Sequence, residues 1–134
     1  MVGVVVATHG ELAEVLLRTS EAVCGPLERC RAVSISAAQD IDGARAALAE
    51  AIHAVDEGQG VLVLTDMFGG TPANLALTFL DERIEVVTGV NLPMLLKLSV
   101  LRGSGKPIAE IAHDLAEAGQ RAIGHVSQSL RRMG

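Results

Sequence analysis

The chain has 134 residues, 49% of them hydrophobic, and its eleven basic and sixteen acidic side chains leave a net charge of −5 at pH 7. This length predicts one domain, residues 1–134, that folds without disulfides or structural metals. Because the charge is acidic and no Lys/Arg cluster is larger than Arg131 and Arg132, nucleic acid is excluded as a partner.

Apolar periodicity predicts strands alternating with helices through the first half of the chain. Residues 2–7 form a continuous apolar run, which is typical of a strand covered on both faces, and a helix follows. The residues at helical spacing that indicate this helix are Leu12, Val15, Leu16, Thr19 and Val23. Residues 32–35 predict a short second strand, and a second helix ends near Gly58. The inner stripe of the second helix is expected at Ile41, Ala44, Leu48, Ile52 and Val55.

The second half of the chain continues the alternation. Strands are predicted at 60–64 and 84–88, and helices at 72–80, 93–101 and 107–118. The inward residues of the last of these helices are expected to be Ile108, Ile111, Ala112 and Leu115. Past Gly119 the tail either continues the helix or supplies an antiparallel edge strand. The pattern predicts an α/β fold: a single three-layer domain with a mainly parallel four-stranded sheet and helices on both faces.

Two polar side chains follow predicted strands. His9 comes directly after the first strand, and Asp66 follows the third with only Thr65 between. Because the carboxyl ends of parallel strands share one edge of the sheet, both side chains are expected at that edge. A carboxylate that accepts the Nδ1 proton of histidine leaves Nε2 as a free lone pair, so His9 is a candidate nucleophile. A lone histidine after a strand is otherwise more often a satisfied polar group.

The glycine-rich loop after Asp66 is a candidate anion site. Thr71 and Pro72 are expected to be the N-cap and first residue of a helix, so that Gly69, Gly70 and Thr71 lie at its positive end. Glycines let successive N–H groups converge on a phosphate oxygen, and the Thr71 hydroxyl adds a donor. The alternative is a tight turn and helix cap without a ligand. The loop matches neither the Walker nor the dinucleotide-binding fingerprint.

Three stretches together resemble a known family. They are VATHGELAEVLL at 6–17, LTDMFGGTPANLA at 64–76 and VVTGVNLPMLLKL at 86–98. They are similar to motifs of the mannose-type enzyme IIA component of the bacterial phosphoenolpyruvate:sugar phosphotransferase system, over about residues 2–120. The resemblance implies a phosphotransferase with an α/β domain and a parallel sheet apart from an antiparallel edge strand.

The same resemblance implies the roles of the site residues and the partners. His9 would be phosphorylated by the phosphocarrier HPr, Asp66 would orient it, and Thr71 would contact the phosphoryl group. Backbone amides around Phe68, Gly69 and Gly70 would complete the cradle. The expected acceptor is a IIB protein on a separate chain, because no linker to a IIB domain follows in this sequence. A homodimer is also expected, whereas no cofactor is.

The remaining polar residues indicate neither metal binding nor secretion. Cys24 and Cys30 lack a CxxC or Cys/His spacing, and His53, His113 and His125 have no partners at ligand spacing, so no metal site is expected. The opening residues MVGVVVATHG carry no charged n-region, and no apolar run approaches the roughly 20 residues of a membrane span. A cytoplasmic protein without direct membrane insertion is therefore expected.

Two other functions stay open at this point. A regulatory protein could use the same chemistry, with its phosphorylation state controlling a partner instead of feeding sugar transport. A pure anion-binding module would bind phosphate without any transfer. Neighbouring genes for IIB and membrane components would favour transport over regulation, and a phosphotransfer assay separates both from simple binding.

Overall fold

The structure, a computed structural model, describes residues 1–134 and contains four strands and six helices. The strands are β1 (Gly3–His9), β2 (Cys30–Ile35), β3 (Val61–Thr65) and β4 (Ile84–Thr88). The helices are α1 (Leu12–Cys24), α2 (Ile41–Val55), α3 (Thr71–Leu77), α4 (Leu92–Arg102), α5 (Ile108–Arg121) and α6 (Val126–Met133). No helix combines the length and the apolar character that crossing a bilayer requires.

The four strands form one parallel sheet in the order β2-β1-β3-β4. The chain starts in the middle of the sheet, moves to one side for β2 and returns to the other side for β3. The strand order therefore reverses between β1 and β3, where Ala7 is paired with Thr65. In such sheets the crevice beyond the carboxyl ends at the reversal is where ligands bind.

Alternate residues of the central strands serve two separate cores, which confirms the predicted three layers. Val4 and Val6 of β1 pack on one face of the sheet with residues of α1, α4 and α5. Val5 and Ala7 pack on the other face with residues of α2 and α3. The side chains of residues 4–7, three valines and one alanine, are all fully buried, as expected for a parallel strand with helices above and below it.

The apolar stripes that indicated the first two helices are only partly their buried faces. Leu12, Val15 and Val23 of α1 are 45%, 42% and 64% exposed. The face that meets the sheet is built from Ala13, Leu17 and Ser20, because small residues let the helix lie close to the strands. In α2 the stripe is buried except at the first residue, Ile41, which is 65% exposed. The inward residues predicted for α5 are buried, apart from a half-buried Ile108.

The tail is helical. Helix α5 runs to Arg121, and α6 follows with no buried residue. The outer edge of β4 has no strand beside it, since β4 pairs with β3 alone. The alternative of an antiparallel edge strand past Gly119 is therefore not what this chain adopts.

The start of α3 differs from the expected cap. The first helical hydrogen bond runs from the Asn74 N–H to the Gly70 carbonyl, 3.0 Å away. Gly70 is thus the N-cap, and Thr71 is the first helical residue and makes no capping hydrogen bond. Pro72 still lies in the first turn, where a missing N–H leaves no hydrogen bond unmade.

Candidate active site

The structure brings His9 and Asp66 together at the point where the strand order reverses. His9 is the last residue of β1, and Asp66 directly follows β3. The His9 ring nitrogen Nδ1 lies 2.9 Å from Asp66 Oδ2, and the His9 backbone N–H donates to the same oxygen at 3.1 Å. Adjacent parallel strands of matched register thus place two residues that are far apart in sequence in direct contact.

The Asp66 carboxylate is held as an acceptor on both oxygens. Besides the two donors from His9, the Met67 N–H donates to Oδ1 at 3.1 Å. Partial burial disfavours the charge and raises the pKa of Asp66, but the hydrogen bonds from the His9 ring and backbone outweigh that effect, so the pKa lies below its ordinary value. Asp66 is therefore ionised at neutral pH.

An ionised partner fixes the tautomer of His9. A carboxylate can only accept hydrogen bonds, so Nδ1 carries the proton and Nε2 keeps its lone pair. The His9 side chain is 49% exposed, against 14% for Asp66. The acceptor is thus shielded, while the imidazole is reached from solvent. This arrangement suits nucleophilic attack by Nε2 on a group brought from outside.

The glycine-rich loop lies against the reactive edge of the ring. A Cβ atom built on Gly70 would lie 2.6 Å from His9 Cε1 and 3.1 Å from Nε2. Of the other predicted cradle residues, Phe68 and Gly69 belong to the turn between β3 and α3, and Thr71 is the first residue of α3. Gly69 has a φ of +87°, a conformation that favours glycine. The Phe68 side chain is 75% exposed.

The His9 side chain opens to solvent, and the main surface grooves lie elsewhere on the molecule. One groove of about 520 Å³ lies between α4 and α5, is lined by residues such as Pro93, Lys97 and Arg121, and includes neither His9 nor Asp66. No group of three or more His, Cys, Asp or Glu residues is placed to hold a metal ion.

Two polar residues outside the site, Asn91 and Arg102, make structural contacts. The Asn91 side chain accepts from Met94 N–H at 3.2 Å, which caps α4, and donates to the Gly119 carbonyl at 3.1 Å. Arg102 donates to the backbone carbonyls of Val2 and Glu28. These residues hold helices and chain ends in place.

Sequence reasoning missed the buried Thr8 and the steric role of Gly70. Thr8 precedes His9 and is fully buried with a hydrogen-bonded hydroxyl. Gly70 was expected to supply an amide, but its missing side chain is what makes room for the ring. The only available signals were a hydroxyl at the end of an otherwise apolar strand and the second glycine of a pair.

Comparison with known proteins adds the family. The model of the EIIA-man family, described as the PTS system fructose IIA component, matches residues 3–116. This chain belongs to that family. The matched region includes the whole site and all of the sheet, whereas α6 lies outside it.

Relatives and solved structures of the EIIA-man family agree over most of the chain. The fructose-specific EIIA component of Bacillus subtilis is 29% identical over 99% of this chain and 92% of its own. The mannose-specific EIIAB component of Escherichia coli is 29% identical over 91% of this chain, which spans only 38% of that longer protein. A mannose/sorbose-specific IIA subunit from Enterococcus faecalis superposes with a TM-score of 0.82 at 30% identity, over 92% of each chain.

Membership of the EIIA-man family gives the activity class. IIA components are phosphotransferases of the sugar phosphotransferase system, and so is this chain. The open His9 and its ionised partner fit such a reaction, because phosphoryl transfer needs positioning and charge stabilisation more than covalent machinery.

Gly70→Ala is expected to slow phosphoryl transfer at least tenfold while leaving the fold intact. Alanine tolerates the Gly70 backbone, with φ of −91°, but its Cβ would collide with the His9 ring. A displacement of about 1 Å costs up to about 10²-fold in rate. Initial rates of phosphoryl labelling of the protein measure the transfer, and thermal melts of the same samples measure the stability of the fold.

Gly69→Ala provides the contrast in the same loop. Its Cβ would point to open space, but alanine at this positive φ is strained. This variant should lose stability, by about 1 kcal/mol, yet keep more of its rate than Gly70→Ala. A Gly70→Ala protein that transfers as fast as the wild type would show that the contact with His9 does not matter.

Proposed function

We propose that His9 accepts a phosphoryl group from the phosphocarrier HPr and passes it to a separate IIB protein during sugar uptake. The observation that carries the proposal is the His9 ring itself, with Nδ1 held 2.9 Å from an ionised Asp66 and the side chain 49% exposed. This combination supports the proposal because it presents the Nε2 lone pair at the protein surface.

The transfer would proceed in two reciprocal steps. The Nε2 lone pair attacks phosphorus while the bond from phosphorus to the carrier breaks, and the electron pair of that bond leaves with the carrier. Asp66 stabilises the positive charge that develops on the His9 ring. The amides around Phe68, Gly69 and Gly70 and the Thr71 hydroxyl are proposed to contact the phosphoryl oxygens. IIB then attacks the same phosphorus, and Nε2 recovers its lone pair.

The surroundings of His9 favour a protein as phosphoryl donor. Four exposed apolar side chains follow His9 or Asp66 within a few positions of the sequence: Leu12, Val15, Met67 and Phe68. Apolar side chains around a polar centre are typical of docking surfaces. A carrier that covers them would exclude water from the phosphoryl group during transfer.

The decisive experiment is phosphorylation with phosphoenolpyruvate, enzyme I and HPr, followed by addition of a purified IIB protein. Labelling of this chain tests acceptance from HPr. Loss of that label to IIB, on a chain of its own, tests onward transfer. The regulatory alternative shares the first step but not the second.

We also propose a homodimer, and expect sedimentation velocity at micromolar concentration to show it. Exposed apolar side chains lie along α6 and in the segment that precedes it. They are Ile123, Val126, Leu130 and Met133, each at least 61% exposed. Burial of such surface drives association, and closed symmetric dimers are the commonest assembly. A monomer alone at these concentrations would contradict the proposal.

A further inference from the structure

Thr8 links the strand that carries His9 to the helix that follows it. Its side chain is fully buried at the end of β1. The hydroxyl oxygen accepts the Ala13 N–H at 2.7 Å, and the hydroxyl donates to the His9 carbonyl at 3.2 Å. Glu11, the N-cap of α1, makes no side-chain capping bond. One free N–H of the first helical turn, that of Ala13, is thus satisfied from the strand by Thr8.

The His9 backbone is consequently held on both sides. Its N–H donates to Asp66 Oδ2 at 3.1 Å, and its carbonyl accepts from Thr8. The next residue, Gly10, turns the chain with a φ of +55° and donates to the Ile35 carbonyl. The Thr8 hydroxyl therefore ties the peptide that carries the imidazole to the first turn of α1.

We propose that Thr8 is a positioning residue for His9. The hydroxyl fixes the orientation of the His9 peptide, and so the angle at which Nε2 emerges beside Gly70. Without it the ring still has Asp66, but the turn between β1 and α1 loses a buried anchor and the ring direction becomes less defined. Sites held loosely by their supporting residues lose rate even when every reacting group is present. This inference rests on the proposed phosphoryl transfer at His9.

The test compares Thr8→Val and Thr8→Ser with Thr65→Val. Valine has the shape of threonine without the hydroxyl, and serine keeps the hydroxyl without the methyl group. Thr65 is the matched control, because it is also fully buried at the end of a central strand and its hydroxyl has no hydrogen-bond partner. Replacing an unpaired hydroxyl with a methyl group should be neutral or stabilising.

Rates are measured with phospho-HPr as donor over a range of concentrations. Thr8→Val should lower the maximal transfer rate about tenfold, with KM for phospho-HPr unchanged, because ring orientation and not docking is affected. Thr8→Ser should stay within about threefold of the wild type, and Thr65→Val within about twofold. A wild-type rate in Thr8→Val would overturn the proposal, as would a folded Thr8→Ser as slow as Thr8→Val.

A second readout does not depend on transfer. The ¹⁵N resonances of the His9 ring should broaden, or shift toward a mixture of tautomers, in Thr8→Val, and should keep wild-type positions in Thr8→Ser and Thr65→Val. Unchanged ring resonances in Thr8→Val would contradict the positioning role, even if the wild type accepted no phosphoryl group. A wild type that is not labelled would instead overturn the proposed function. If Thr8→Val does not fold, a folded Thr8→Ser protein that transfers slowly or has shifted ring resonances would still overturn the proposal.

Discussion

Incubation with phosphoenolpyruvate, enzyme I and HPr is expected to place one acid-labile phosphoryl group on each chain, and His9→Ala should abolish the labelling. The reason is that His9 is the histidine whose Nδ1 is anchored by a carboxylate, at 2.9 Å, which leaves Nε2 as a nucleophile. Mass spectrometry of the intact protein gives the stoichiometry, and acid treatment distinguishes phosphohistidine from phosphate esters.

The chain supplies matched controls for the first prediction. His113 and His125 are exposed histidines on other elements, so alanine at either position should leave the labelling complete. Labelling that persists in His9→Ala would assign the chemistry to another residue. A wild type that takes up no phosphoryl group would leave the anion-binding module as the better description.

Asp66→Asn should slow phosphorylation of His9 by on the order of 10³-fold. The two carboxylate oxygens accept from opposite sides, Oδ2 from His9 and Oδ1 from Met67. An amide has one acceptor, so one side must face an NH₂ group. If that group faces His9, Nδ1 has to accept and the proton moves to Nε2, which removes the nucleophile; if it faces Met67, two donors oppose each other. Either orientation also removes the charge that stabilises the imidazolium.

Thr71→Ala should be far less damaging than Asp66→Asn. Thr71 is not the N-cap of α3 and makes no capping bond, so the stability change should stay within about 0.5 kcal/mol. One donor to the phosphoryl oxygens is lost while the amides remain, which predicts a fall of about tenfold. Initial rates of HPr-dependent labelling compare the two variants.

Asp56→Asn controls for the change from carboxylate to amide. Asp56 pairs with Arg83 and lies outside the site, so this variant should transfer at the wild-type rate, whatever it does to the melting temperature. If Thr71→Ala proved slower than Asp66→Asn, with Asp66→Asn near wild type, the orienting role of Asp66 would be wrong. The site would then have to be centred on the start of α3.

The layered fold could be predicted because each layer leaves a different mark on the sequence. The uninterrupted apolar run at the start of the chain indicated a doubly covered strand, and β1 extends from it to His9. Helical periodicity located the helices but not always their buried faces. On α1, Leu12, Val15 and Val23 have helical spacing but are exposed. The helix packs on the sheet through another face, which carries the smaller residues Ala13 and Ser20.

The pairing of His9 with Asp66 follows from topology, since both residues end neighbouring parallel strands. The contacts of Gly70 and Thr8 do not follow from it. A missing side chain that makes room for a ring, and a hydroxyl that reaches both a helix N–H and a neighbouring carbonyl, depend on distances within the folded turn. The tail was ambiguous for another reason: residues 120–134 bury nothing within this chain, so the core places no constraint on them.

The half-exposed imidazole also determines how long a phosphoryl group on it would last. Under the proposed function two different proteins reach the same nitrogen in turn, and the 49% exposed His9 side chain is open to water as well. A phosphorus–nitrogen bond left in contact with solvent hydrolyses without any phosphatase. The phosphorylated fraction of the protein would therefore fall once the phosphorylated donor is used up. At any moment it would reflect the current concentration of that donor and not an earlier one.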